Sequence, residues 1–128
     1  MHAMCLELLS PFLTSSSKVL DVGAGSGYLC SCFAKLLELK AKEEGEAASK
    51  SCEPESQVRV LGIEVKKYLV DKAVSNIEKK DSTLFIQNDG NLLVREGDGW
   101  KGAPDLAPYA AIHVGAAAVE VSVSARFQ

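Results

Sequence analysis

The run Val19-Leu20-Asp21-Val22-Gly23-Ala24-Gly25-Ser26-Gly27-Tyr28-Leu29 constrains this chain more than any other segment. A short apolar strand runs into a Gly-x-Gly-x-Gly turn, and an apolar helical pattern follows. Glycine has no Cβ, so it takes positive φ and lets backbone approach a ligand where another side chain would collide. Strand, tight turn and helix open a βαβ unit, and a nucleotide-type cofactor is the first hypothesis for what the turn admits. The spacing differs from Gly-x-Gly-x-x-Gly, in which the third glycine packs helix on strand and pyrophosphate sits on the helix N-terminus. Gly27 falls two residues after Gly25 rather than three, which disfavours a nicotinamide-dependent dehydrogenase domain. A plain strand-to-helix loop is the competing reading of the turn alone.

Further elements follow a regular alternation. Met1 to Phe12 places Met4, Cys5, Leu8 and Leu9 near one face and predicts a helix ended by Ser10-Pro11 or just after it. Lys18 to Val22 is the first strand. Tyr28 to Leu39 is a helix with Cys30, Phe33, Leu36 and Leu37 inward. From Lys40 to Gln57 the composition shifts to Lys, Glu, Ala, Ser and one Pro, which predicts a solvated surface insertion. Order returns at Val58-Arg59-Val60-Leu61-Gly62-Ile63-Glu64, a strand followed by a helix through Tyr68, Leu69, Ala73, Val74 and Ile77. Leu92 to Glu96 predicts a third strand and Tyr109 to Val114 a fourth, stopped by Gly115. This pattern predicts an α/β fold, a parallel sheet with helices on both faces that binds ligands at the carboxyl ends of its strands.

At 128 residues, 47% of them hydrophobic, one domain with a real core is the default. The formal charge of −3 supplies no basic field, so neither nucleic acid nor an acidic membrane is an expected partner. No run of apolar residues is long enough for a membrane span and no signal-peptide pattern opens the chain, which reads as a cytoplasmic protein. Cys5, Cys30, Cys32 and Cys52 form no Cys-x-x-Cys pair, and with only His2 and His113 besides, no metal site is expected. Buried or idle thiols in a reducing compartment fit better.

Three strand ends carry candidate ligand contacts. Gly-x-Gly-x-Gly resembles the first motif of S-adenosylmethionine-dependent methyltransferases, whose cofactor carries no phosphate, and Asp21 at the strand end can meet its ammonium group. Glu64 closes the second strand, where an acidic residue can accept hydrogen bonds from both ribose hydroxyls of an adenosine. Its distance from the glycine turn exceeds the usual spacing by nearly the length of the 40–57 insertion. Gly97-Asp98-Gly99 ends the third strand, and Asp98 can accept from an adenine amino group; an ordinary Asp-Gly turn is the alternative. Trp100 and Tyr28 can flank an adenine or simply pack. His113, in an apolar strand, reads as a hydrogen-bonded core residue rather than a catalyst.

Taken together, Met1-His2-Ala3 with Leu6-Glu7-Leu8-Leu9, Leu20 through Gly27, Gly62-Ile63-Glu64, Leu69-Val70-Asp71, Gly97-Asp98-Gly99 and Pro108 through Ala118 resemble the protein-L-isoaspartate O-methyltransferases, the eukaryotic form in particular. The run Ala111-Ile112-His113-Val114-Gly115-Ala116-Ala117 carries the most specific part of the likeness. The resemblance implies a Rossmann-like methyltransferase fold over residues 1–118, followed by an atypical tail over 119–128. It implies S-adenosyl-L-methionine as cofactor and methyl transfer to the carboxylate of L-isoaspartyl residues in damaged proteins and peptides. Cofactor contacts carried over by motif fall on His2, Gly23, Ala24, Gly25, Ser26, Gly27, Glu64, Val65, Gly97, Asp98 and Gly99, beside Asp21. Glu64 stands where the family more often has Asp, and Ala110 where it has Asp after Tyr, a change expected to weaken the contacts at that strand end.

By the same likeness the family's active-site serine lies on a segment ahead of Met1, so no catalytic residue is expected within the sequence. The family's C-terminal strands have no counterpart either, and an incomplete, truncated family member is expected. The family is monomeric, whereas an uncovered sheet edge here would favour self-association. Two rivals stay open: a non-catalytic fragment that keeps the nucleoside cleft, and a methyltransferase with another substrate.

Overall fold

The structure, a computed structural model, describes residues 2–45 and 57–115. The expected 40–57 insertion falls largely outside these residues, as does the whole 119–128 tail and the Ala116 to Ala118 end of the family-like run.

Helix α1 spans His2–Leu9 and passes into a 3-10 turn at Ser10–Phe12, because Pro11 has no N–H to continue an α-helical ladder. Strand β1, Val19–Val22, leads through the glycine turn into α2, Tyr28–Glu43. Strand β2 is Val60–Glu64, α3 is Lys67–Asp81, β3 is Leu92–Glu96 and β4 is Ala111–Val114. All strand pairs are parallel, in the order β3-β2-β1-β4. Every residue of β1 and β2 is buried, as expected of central parallel strands covered on both sides.

Alternation along the strands divides the core. Val19, Val60, Leu92, Val94 and Ala111 pack against Leu29, Cys30, Phe33, Ala34 and Leu37 of α2 and Val70, Ala73 and Ile77 of α3. Leu6 and Leu9 of α1 lean on the same cluster. Leu20, Val22, Leu61 and Ile63 point the other way, onto Ala103, Leu106 and Tyr109. Among the described residues this second face is therefore covered by the segment between β3 and β4, with its 3-10 turn at Pro104–Leu106, rather than by an α-helix. Three contacts tie that segment down. Lys18 Nζ donates to the Leu106 carbonyl at 3.1 Å, the Tyr109 hydroxyl donates to the Ala103 carbonyl at 2.7 Å, and Arg95 forms a two-pronged pair with Asp105 at 2.7 Å per contact. Burial, with the Asp105 charge nearby, pushes the Tyr109 hydroxyl up to about 12.

Strands β1 and β2 begin at Val19 and Val60 rather than at Lys18 and Val58, and two further element ends differ from the sequence expectation. Helix α2 runs to Glu43, four residues beyond Leu39, so Lys40 to Glu43 belong to it and not to the insertion. Lys, Ala and Glu are strong helix formers, and Lys40 and Lys42 complement the negative helix end. Strand β4 begins at Ala111 rather than Tyr109, yet Ala110 N–H still donates to the Lys18 carbonyl at 2.8 Å. The backbone ladder thus extends to Ala110, where the family resemblance implies weaker contacts. No helix among the described residues is long and apolar enough to cross a membrane.

Candidate functional site

The chain lays β1, β2 and β3 side by side in one direction and then returns to place β4 on the far side of β1. The strand order thus reverses at β1, with β2 and β3 on one side and β4 on the other, and in open α/β sheets ligands bind outside the carboxyl ends at such a point. The glycine turn leaves β1 at that end. Gly23 and Ala24 N–H groups both donate to the Ile63 carbonyl, at 2.9 and 3.1 Å, and Gly27 N–H donates to the Ala24 carbonyl at 2.9 Å. The turn is thereby fastened to the end of β2. Asn76 of α3 adds a side-chain hydrogen bond to the Ser26 carbonyl at 3.2 Å, a contact that nothing in the sequence pattern signals.

Two glycines are required by the geometry, for different reasons. Gly27 has φ +78°, and a Cβ there would meet Ile77 Cδ1 at 2.8 Å and Ala73 Cβ at 3.1 Å, so its absence lets α2 start against α3. Gly25 has φ +53°, but a Cβ there would find nothing nearer than the Gly23 carbonyl at 3.9 Å. The space over Gly25 is open, as a cradle for a ligand requires. Ser26 beside it is exposed.

Glu64 lies at the floor of this opening and is buried. One carboxylate oxygen accepts from Gly25 N–H at 3.2 Å, the other from Val65 N–H at 2.9 Å. Each oxygen keeps a second lone pair for a hydroxyl donor. Val65 itself is exposed. Gly97 N–H donates to the Glu64 carbonyl at 3.0 Å, which sets the Gly97-Asp98-Gly99 turn beside the same carboxylate. Asp98 is exposed, with Oδ1 accepting from Trp100 N–H at 3.0 Å, and a Cβ on Gly99 would strike Val22 Cγ1 at 2.5 Å. His2 stands near the first turn of α2, its ring 5.5 Å from that of Tyr28. Both Tyr28 and Trp100 are exposed. The glycine turn, Glu64, Val65 and the Gly97-Asp98-Gly99 turn thus gather at one end of the sheet.

Asp21 differs. From the sequence it is expected to meet a ligand's ammonium group, but in the fold it turns inward and is only 2% exposed. Its Oδ2 accepts from the Cys30 thiol at 3.0 Å and its Oδ1 lies 2.7 Å from His113 Nδ1. The register explains this: Asp21 and His113 are paired across β1 and β4, so their side chains share a face, the one that α2 covers. Cys30, expected from the sequence to be a buried or idle thiol, is buried and is a partner of Asp21. Burial pushes its thiol well up, and the Asp21 charge adds to this. Because the thiolate is the reactive form, Cys30 is expected to resist N-ethylmaleimide in the folded chain and to label only after denaturation. Cys5 and Cys32, both partly accessible, should label first. Mass mapping of briefly treated native protein checks this, and equal labelling of Cys30 would contradict the arrangement.

The model of the Protein-L-isoaspartate(D-aspartate) O-methyltransferase family matches residues 1–125. Protein-L-isoaspartate O-methyltransferase 1 of Arabidopsis thaliana is 41% identical over 94% of this chain and 45% of its own length. The Protein-L-isoaspartate O-methyltransferase of Triticum aestivum is 42% identical with the same coverage, and that of Caenorhabditis elegans is 38% identical over 91% of this chain and 44% of its own. The chain thus spans a little under half the length of these relatives. Among solved structures, a Plasmodium falciparum protein-L-isoaspartate O-methyltransferase in complex with S-adenosyl-L-homocysteine superposes with a TM-score of 0.71 at 28% identity, covering 94% of this chain and 50% of that one. A second protein-L-isoaspartate O-methyltransferase, 23% identical with a TM-score of 0.62, shares the fold over 96% of this chain and 31% of its own. With its Rossmann-like parallel sheet and a match running almost end to end, the chain belongs to the protein-L-isoaspartate(D-aspartate) O-methyltransferase family.

Proposed function

We propose that this chain provides the S-adenosyl-L-methionine site of an enzyme that methylates the carboxyl group of L-isoaspartyl residues in damaged proteins and peptides. The observation that carries the reading is the buried Glu64 carboxylate, hydrogen-bonded to Gly25 N–H beneath an open glycine turn. An adenosine fits this arrangement. Glu64 accepts from the ribose hydroxyls, the open space over Gly25 takes the atoms that follow the ribose, and exposed Asp98 accepts from the adenine amino group. Ser26, Val65 and His2 border the same opening. The cofactor, when bound, supplies a methyl group on a sulfonium.

Little acid-base chemistry is asked of the protein, because an isoaspartyl carboxylate is already an oxyanion at neutral pH. What the chain contributes is orientation and exclusion of water around the reacting atoms. The turn, fastened to Ile63, Glu64 and Asn76, is a fixed platform suited to that task. A cytoplasmic setting belongs to the same reading.

Calorimetric titration with S-adenosyl-L-homocysteine tests the site. Saturable binding is expected in the parent chain. Glu64→Ala removes the ribose acceptors together with the Gly25 contact and should weaken binding about 30-fold or more, since hydrogen bonds to a charged group contribute roughly 1.5–3 kcal/mol each. Retention of full affinity by the folded variant would overturn the reading.

A further inference from the structure

The strand order aligns four polar features in one row. Asp98 follows β3, Glu64 ends β2, the glycine turn leaves β1, and His113 lies on β4. Neighbouring strands are about 4.8 Å apart, so roughly 10 Å separates the ends of β2 and β4. If adenine lies toward Asp98 and ribose on Glu64, as proposed above, the remainder of a nucleoside that also carries an amino acid extends past Gly25 toward His113. We infer that His113 receives that amino-acid end, its Nε2 accepting a hydrogen bond from the ligand's ammonium group, with Asp21 as the residue that positions the ring.

The local chemistry supports this assignment. A carboxylate only accepts, so in the 2.7 Å contact with Asp21 it is Nδ1 that carries the proton. In the neutral ring Nε2 is then an acceptor. No hydrogen-bond partner for Nε2 occurs among the described residues, and the side chain keeps 20% of its surface accessible. The ring lies at the strand ends: a Cβ on Gly115 would be 3.2 Å from His113 Cε1 and also 3.2 Å from the Gly23 carbonyl. Gly115 therefore lies close against both the ring and the base of the glycine turn, which brings the imidazole to that turn.

Charge points the same way. Asp21 is buried, and no lysine or arginine pairs with it among the described residues. Cys30 and His113 occupy its two oxygens. A cation on Nε2 completes a carboxylate–imidazole–ammonium series, so Asp21 acts on the ligand through His113 instead of touching it.

The test compares two ligands on the full chain: S-adenosyl-L-homocysteine, which has the amino-acid end, and 5′-methylthioadenosine, which lacks it. His113→Ala and the bulkier His113→Gln are each expected to weaken the first about tenfold or more and the second less than about twofold. Asp21→Asn should follow the same split with a smaller loss. A nitrogen NMR spectrum of the parent chain should show Nδ1 protonated, with Nε2 shifted by adenosylhomocysteine and not by methylthioadenosine. That readout does not depend on any variant folding. Equal weakening of both ligands, no weakening of either, or a proton resident on Nε2 would overturn the inference. Failure of the parent chain to bind either ligand would instead overturn the proposed cofactor site, and this inference with it.

Discussion

Phe33→Ala is expected to lower the unfolding free energy by about 3–5 kcal/mol, the range for removing a fully buried aromatic ring. Phe33 is the largest of the completely enclosed side chains among the described residues, with no accessible surface. It sits on the inward stripe of α2, with Cys30, Ala34 and Leu37, in the cluster that joins both long helices to the sheet. The rest of that cluster comes largely from α3 and from strands held by the ladder, so it cannot close over the void without moving the sheet. Typical domains have only about 5–15 kcal/mol in total. The variant should therefore lose much of its reserve, visible as a lowered midpoint in urea at unchanged slope. A loss under about 1 kcal/mol would mean that α2 does not pack on the sheet as described. Leu39→Ala on the same helix is the control, since Leu39 is half exposed and should cost little.

The second large effect separates two glycines of one turn. Gly27→Ala places a methyl 3.1 Å from Ala73 Cβ and 2.8 Å from Ile77 Cδ1, at φ +78°. Ile77 can rotate its terminal methyl away, but the Ala73 Cβ is fixed to helix backbone. Overpacking of this kind costs about 1–3 kcal/mol, and the left-handed conformation adds roughly 1–2 kcal/mol for a residue with a Cβ. Together they predict a loss of about 2–5 kcal/mol. Gly25→Ala incurs only the conformational part, because its Cβ enters open space. That space is where the ligand is proposed to lie, so the Gly25 variant should keep most of its stability and lose at least about tenfold in adenosylhomocysteine affinity. Thermal melting and calorimetric titration of both variants decide the matter. A Gly27 variant as stable as the parent would contradict the described junction of α2 and α3, and a Gly25 variant with full affinity would place the ligand elsewhere.

Much of this organisation is legible in the sequence because it depends on short-range pattern. The β1 run, the glycine turn and the apolar stripe of α2 are contiguous, and each signals its own conformation. Glu64 is also readable, since a carboxylate at the end of a β-branched run is a positional cue. The inward turn of Asp21 is not readable, because its partners Cys30 and His113 are brought together by strand register across 92 residues of chain. A lone histidine in an apolar strand looks the same whether it meets carbon or a carboxylate. The far end of α2 is missed for a different reason. Lys40 to Glu43 lack large apolar residues, which reads as solvated loop, yet their intrinsic helix preference carries the last turn without a buried face. Cover for the second face of the sheet comes from a segment with no periodicity, so only the tertiary contacts of Leu106 and Tyr109 reveal it.

The segment between β3 and β4 is held by Lys18, Arg95 and Tyr109, whose partners Leu106, Asp105 and Ala103 all lie beyond the short stretch from Asp98 to Lys101. Its anchors and the turn proposed to meet the ligand are therefore different residues. Variation at Asp98, Trp100 and Lys101 can rewrite the turn while the sheet stays sealed underneath, with Gly99 held by its close approach to Val22. Selection on recognition and selection on foldedness act here on separate letters of the chain.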